Sequence, residues 1–293
     1  MGLFQKIAEE PGKTATIMRE VLYNEAVYGS KNLSFVASDL YQRVVGSKKK
    51  SKLKRDIMPE GFALDMGVLN PLVVLHGWGQ ARAVLGDLER SLVDVGFPFV
   101  HTNSYEQFCS VDSNISRLDS IVGADIALTS PVSGKVDFVG HSLGGMLAKR
   151  YSQMFPDKVG RVFQIGSPNH GTFVALAGCA TYAGRLAPLR QVFRRFGINL
   201  DGGSALEMIP YHPFIKALND PRLLPKGVKF YSIYSEYDEL MLGVRNTEHI
   251  ENGVNIDVER DLGVPYVGHA GLIHHPVALE RISGYIMQEC NKE

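Results

Sequence analysis

The chain of 293 residues has only three cysteines, Cys109, Cys179 and Cys290, which are scattered and form no C-x-x-C pair. This excludes a disulfide framework and gives no zinc-site spacing, so reduced thiols are expected. An excess of one charge is also missing, because 31 basic residues balance 31 acidic ones. A neutral chain has no general attraction for nucleic acid, so no nucleic-acid partner is expected and any electrostatic role must be local. Long apolar runs are absent too. None approaches the ~18 residues of a membrane span, and the opening "MGLFQKIAEEPGK" has no apolar stretch of signal-peptide length. The expected location is therefore the cytoplasm. No internal repeat or low-complexity tract occurs.

What is present divides at about residue 65. Two helices are predicted between Thr14 and Val45, one from Ile17, Met18, Val21 and Leu22, the other from Val36, Leu40, Tyr41 and Val44. With the basic run "KKKSKLKR", Lys48 to Arg55, they form an N-terminal extension over 1–65. The run reads first as a solvated linker and second as a patch for anionic lipid headgroups. Over 66–293 short apolar runs alternate with helical segments, the pattern of a mostly parallel sheet covered by helices. The runs are "PLVVLH", "FPFVHT", "VDFVGH", "VGRVFQIGS", "VKFYSIYS" and, less regularly, "GVNIDVE" with "VPYVGH". Helices are predicted over Ala81–Val95, Asn114–Leu128, Leu143–Met154 and Leu272–Glu289.

More than fifty residues separate "QIGSPNHGT" from "VKFYSIYS", far more than one crossover helix needs. An inserted cap over about 172–225 is the expectation. Within it Leu189, Val192, Phe193 and Phe196 stand at i, i+3, i+4 and i+7, with Pro188 suited to a first turn and Gly197 to a stop. Arg190, Arg194 and Arg195 flank this apolar stripe, which either packs on the domain body or covers a substrate pocket.

"GHSLGG", Gly140 to Gly145, fits G-x-S-x-G and stands between a predicted strand and a predicted helix. So sharp a turn forces Ser142 into a strained backbone conformation, and Gly140 and Gly144 leave room for it. The plainer alternative is a glycine-rich turn with a capping serine. A serine hydroxyl is a poor nucleophile alone and needs a histidine base oriented by a carboxylate. His269, in "VPYVGHAGLIHHP", follows an apolar run and precedes a helix, with His274 and His275 as fallbacks and His249 read as surface loop. Asp238, in "FYSIYSEYDELM", lies just past a strand end, with Glu236 and Glu239 as substitutes. The oxyanion formed on attack needs main-chain donors, for which the N–H groups of Leu143 and of Trp78 in "LHGWGQ" are the candidates.

Together, "VVLHGWG", "DFVGHSLGG", "GSPNHGT" and "GHAGL" resemble the motifs of lipases in the α/β-hydrolase superfamily, over about Asn70 to Asn291. The resemblance implies an α/β-hydrolase fold, with Ser142 as nucleophile, Asp238 as orienting acid, His269 as base, and Trp78 with Leu143 as oxyanion donors. Ser167 stands where many relatives have Thr, and no clear proline follows the carboxylate segment. Some relatives bind a structural calcium near the histidine loop. Asp257 and Asp261 are there, but loop aspartates alone are poor evidence, and no metal is expected.

The expected function is that of a serine carboxylic-ester hydrolase, a lipase acting on acyl esters without a cofactor. Arginines of the cap and the basic run are the candidate contacts with a lipid surface. The same triad would serve a short-chain esterase, a thioesterase or an acyltransferase, and a non-catalytic hydrolase-fold binding protein is the alternative from another class.

Overall fold

Short apolar runs rich in Val, Ile and Phe cannot be told from buried helix by periodicity alone, and their length and flanking glycines favour strands. The computed structural model describes residues 66–106, 109–181, 203–241 and 247–292. The strands are β1 (Leu72–Leu75), β2 (Val100–Asn103), β3 (Val136–His141), β4 (Val159–Ile165), β5 (Lys229–Tyr234) and β6 (Val254–Asp257). They form one sheet in the order β2-β1-β3-β4-β5-β6, and every neighbouring pair is parallel.

A parallel sheet must be covered on both faces, and side chains alternate between those faces along each strand. Val73, Leu75 and Phe138 accordingly pack on one side, against helices α2 (Ile115–Thr129) and α3 (Leu143–Met154). Leu72, Val74, Val139 and Phe163 pack on the other, against α1 (Gly86–Asp94) and the C-terminal helix at Pro276–Cys290. The four residues of β1 have no exposed surface, and each fully buried Leu or Val contributes about 1.5–3 kcal/mol.

The long connection from β4 to β5 holds three short described helices, α4 (Val174–Thr181), α5 (Gly203–Glu207) and α6 (Pro213–Leu218). His212 starts α6 by accepting the N–H of Phe214 with Pro213 in the first turn. The cap stripe at Leu189, Val192, Phe193 and Phe196, the N-terminal helices and the basic run all lie outside the described residues. Beyond β6, Asp257 caps α7 (Val258–Leu262) by accepting the N–H groups of Glu259 and Arg260, and Gly263 ends that helix at φ +65°.

Two expectations are corrected. "VPYVGH" is a loop and not a strand. Pro265 has no N–H to give a ladder, and both main-chain groups of Val267 bond to side chains instead, its N–H to Glu259 and its carbonyl to Ser235. The last helix, α8 (Pro276–Cys290), begins four residues after Leu272, because Pro276 suits a first turn, and Gly271–Ile273 forms a separate 3-10 turn.

The strand order reverses between β1 and β3. β2 was laid down on one side of β1 and all later strands on the other. In open α/β sheets the crevice at the carboxyl ends of strands flanking such a reversal is where ligands collect. "HGWGQ" leaves β1 there, and the turn at Ser142 leaves β3.

Candidate active site

Ser142 joins β3 to α3 with φ +54° and ψ −122°, a conformation that L side chains rarely adopt. Neighbours hold it in place: its N–H donates to Ile165 O of β4, and its carbonyl accepts the N–H of Gly145. The glycines around it are demanded by space. A Cβ on Gly140 would lie 2.4 Å from the nitrogen of Gly145, and one on Gly144 would lie 2.4 Å from the carbonyl oxygen of Leu75. The helix after the serine therefore presses directly on the end of β1. Leu143 is the first residue of α3, a position whose N–H has no acceptor within the helix.

The β1 loop closes on the serine from the other side. A Cβ on Gly77 would lie 3.0 Å from that of Ser142, and Trp78, half-buried, follows on the same loop. Three contacts shape this loop. Gln80 Oε1 accepts the N–H of Gly77 at 2.7 Å, Tyr105 donates its hydroxyl to His76 O at 2.6 Å, and the two rings of His76 and Tyr105 stack at 4.5 Å.

Asp238 and His269 meet beyond the ends of β5 and β6. His269 Nδ1 lies 2.7 Å from Asp238 Oδ2, and both side chains are buried. The substitutes for Asp238 are otherwise engaged: Glu239 Oε2 accepts the main-chain N–H of His269 at 3.1 Å, while Glu236 lines a cavity beside Glu259. The fallback histidines stand elsewhere. His274 is buried with its Nδ1 3.0 Å from Asp87 Oδ2 of α1, and His275 holds the N-cap position of α8. His249 lies on a loop with its ring 4.9 Å from that of Tyr234. Asp261 pairs with Arg260 at 2.8 Å.

Several residues near the site were given no catalytic role from the sequence. His141, beside the serine, is buried with its ring 4.5 Å from that of His269. Burial, reinforced by the neighbouring His269, holds it well below the usual histidine range and so neutral. Its two ring nitrogens lie 3.1 Å from Gln80 Oε1 and 3.3 Å from His269 O, and the single N–H of the neutral ring can donate to one of them. Gly166, at φ +54°, lies where a Cβ would be 3.2 Å from Asp238 Oδ2 and 3.3 Å from His269 Nδ1. Ser167 is fully buried, and a Cβ on Gly145 would fall 2.1 Å from its Oγ, so the end of β4 packs tightly on the start of α3. Glu248 is buried, and burial followed by the charge of Asp238 pushes its carboxyl up to about 8.

A six-stranded parallel sheet flanked by helices on both faces has solved counterparts. Lipase B of Aspergillus fumigatus superposes with a TM-score of 0.54 at 17% identity, over 76% of this chain and 53% of that one. The Bacillus licheniformis lipase BlEst2 gives 0.55 at 15% identity, over 76% and 92%. A thermophilic esterase from Thermogutta terrifontis gives 0.51 at 14%, over 78% and 91%. The chain has the α/β-hydrolase fold. In sequence, this α/β-hydrolase fold is 29% identical over 107 residues to a biotin biosynthesis bifunctional protein, BioHC, of Teredinibacter turnerae. That match covers 33% of this chain and 17% of the relative, and the chain spans about half the length of the Aspergillus lipase. No family model matches. Among the described residues no helix is long and apolar enough to cross a membrane.

Proposed function

We propose that the chain is a serine hydrolase of carboxylic esters, with Ser142 as nucleophile, His269 as base, Asp238 as the acid that orients it, and the N–H groups of Leu143 and Trp78 as oxyanion donors. The observation that carries this reading is the buried Asp238–His269 pair at 2.7 Å, packed through His141 against the strained serine turn. His269 takes the Ser142 proton as the hydroxyl attacks the ester carbonyl, then returns it to the leaving alcohol. Water activated by the same imidazole releases the acid from the acyl-enzyme. Asp238 keeps the Nδ1 proton in place so that the other ring nitrogen acts as base. The reaction needs no cofactor.

A lipid ester is the favoured substrate class within this reading. The region between β4 and β5 exposes Phe173, Leu176 and Leu206, with Tyr211 79% exposed, so several large apolar side chains face solvent in the segment that follows "GSPNHGT". The lipases and the esterase of similar fold are consistent with it.

Labelling of the folded protein by a fluorophosphonate tests the nucleophile: a single adduct on Ser142 is expected, and its absence would sink the reading. Rates on p-nitrophenyl esters of increasing acyl length, dissolved and emulsified, test the substrate class. A maximum at long chains with a gain on emulsification is expected. A maximum at acetate would make the enzyme a short-chain esterase.

A further inference from the structure

The loop that carries Asp238 starts at Ser235, and the loop that carries His269 passes through Val267. Ser235 Oγ lies 2.6 Å from Val267 O and 2.6 Å from Glu259 Oε1 of α7, and it accepts the N–H of Tyr237 at 3.0 Å. Glu259 Oε1 also accepts the N–H of Val267 at 3.3 Å. Two side chains thus hold both main-chain groups of Val267, two residues before His269.

The protons in this cluster can be counted. A serine hydroxyl has one proton, and a carbonyl oxygen can only accept. If Ser235 donates to Val267, its equally short contact with Glu259 needs a proton from the carboxyl. The consistent arrangement is a chain in which the Glu259 acid donates to Ser235, and Ser235 donates to the Val267 carbonyl. An ionised Glu259 would compete with Val267 for the single hydroxyl proton and leave one 2.6 Å oxygen pair with no hydrogen between them.

We propose that Ser235 and Glu259 are positioning residues that staple the His269 loop to the Asp238 loop, with Glu259 acting as a neutral carboxylic acid. The staple matters for turnover only if His269 is the base, as proposed above. The surroundings favour the neutral form. Burial, with the charge of Asp257 added, pushes the Glu259 carboxyl up to about 8 against the opposing Ser235 contact. A cavity of about 400 Å³ beside Glu259 is lined also by Glu236, Asp257, Arg260 and Tyr266. The one cation among these, Arg260, pairs with Asp261 at 2.8 Å and faces Asp257 at 3.9 Å.

The test compares Glu259→Gln, which keeps a neutral donor to Ser235, with Glu259→Ala, which removes it. Near pH 7 the glutamine variant should keep kcat on p-nitrophenyl butyrate within about threefold of wild type, whereas the alanine variant should lose about tenfold or more in kcat with little change in KM. Melting transitions establish that both variants are folded. A second readout does not depend on turnover: the downfield proton resonance of His269 Nδ1 in its bond to Asp238 should persist in Glu259→Gln and shift or broaden in Glu259→Ala. As pH rises through about 8 the wild-type resonance should weaken more than that of Glu259→Gln; Glu248 titrates in the same range but is common to both. An unchanged resonance and kcat in Glu259→Ala would overturn the staple, and identical pH responses of wild type and Glu259→Gln would overturn the neutral acid. A wild-type protein inert to esters and to fluorophosphonate would instead refute the hydrolase reading, with the resonance still deciding the staple.

Discussion

His269 Nδ1 and Asp238 Oδ2 stand 2.7 Å apart across 31 residues of chain, and neither side chain has appreciable contact with solvent. A carboxylate at that nitrogen fixes the ring's tautomer and stabilises the imidazolium formed in the reaction. Asp238→Asn leaves the shape and removes both effects. Turnover of p-nitrophenyl butyrate should fall about 10³- to 10⁴-fold while the melting transition stays cooperative. A near-normal rate would transfer the role to Glu239 or Glu248.

The serine turn tolerates no side chain at Gly144, because the atoms it would meet are main chain of β1. Gly144→Ala should cost about 1–3 kcal/mol or more in stability and abolish turnover, since the neighbouring backbone cannot rotate away. Gly123 in α2 is the internal control, with nothing within 4 Å of its Cβ position. Gly123→Ala should raise stability by about 0.5–1 kcal/mol. Urea unfolding of both variants checks the contrast.

At the amino ends of β3 and β4 a buried ion pair joins Asp137 to Arg161 at 3.0 Å, and Asn70 donates to the other carboxylate oxygen at 2.9 Å. Burial pushes the Asp137 carboxyl up, and Arg161 is the main group opposing that. Arg161→Leu removes the opposition and should cost about 3–5 kcal/mol. The double variant Arg161→Leu with Asp137→Asn should recover part of the loss, as read from denaturant midpoints. Equal loss in the single and double variants would mean that packing, and not the stranded charge, is responsible.

His101 on β2 lies 2.8 Å from Asp125 of α2, and this hydrogen bond is the main cause of its raised pKa; partial burial and Arg82 oppose it, while Glu89 adds to it. A histidine whose pKa is raised on folding stabilises the protein below its unfolded value of about 6.5, and loses that contribution as pH rises through the folded value. Wild type should therefore lose stability relative to Asp125→Asn as pH rises from about 6.5 through the raised folded value. Parallel urea midpoints for the two proteins across that window would contradict the pairing.

Much of the fold could be read before any coordinates. All six strands, with β6 the least regular of the runs, and α3 to the residue follow from local apolar patterning and from glycines that bound it. The turn at Ser142 was legible for the same reason: Gly140 and Gly144 mark a backbone crowding within a few residues of chain. "VPYVGH" reads as a strand but is a loop because its apolar character serves burial of Val267 in the core, while the Val267 main chain is satisfied by the side chains of Ser235 and of Glu259 in α7. Gly166 is harder to foresee, since besides its positive φ it is crowded by Leu272, Asp238 and His269 from far along the sequence.

The sequence by itself determined the alternation of strands and helices and the strained turn between β3 and α3, because both rest on interactions between near neighbours along the chain. Tertiary structure alone decided that Asp238 reaches the His269 ring while Glu239 takes its main-chain N–H, that His274 faces Asp87, and that Ser235 and Glu259 grip Val267. Those choices depend on how loops at the ends of separate strands converge, and a one-residue difference within such a loop sends a side chain of the same chemistry to a different partner.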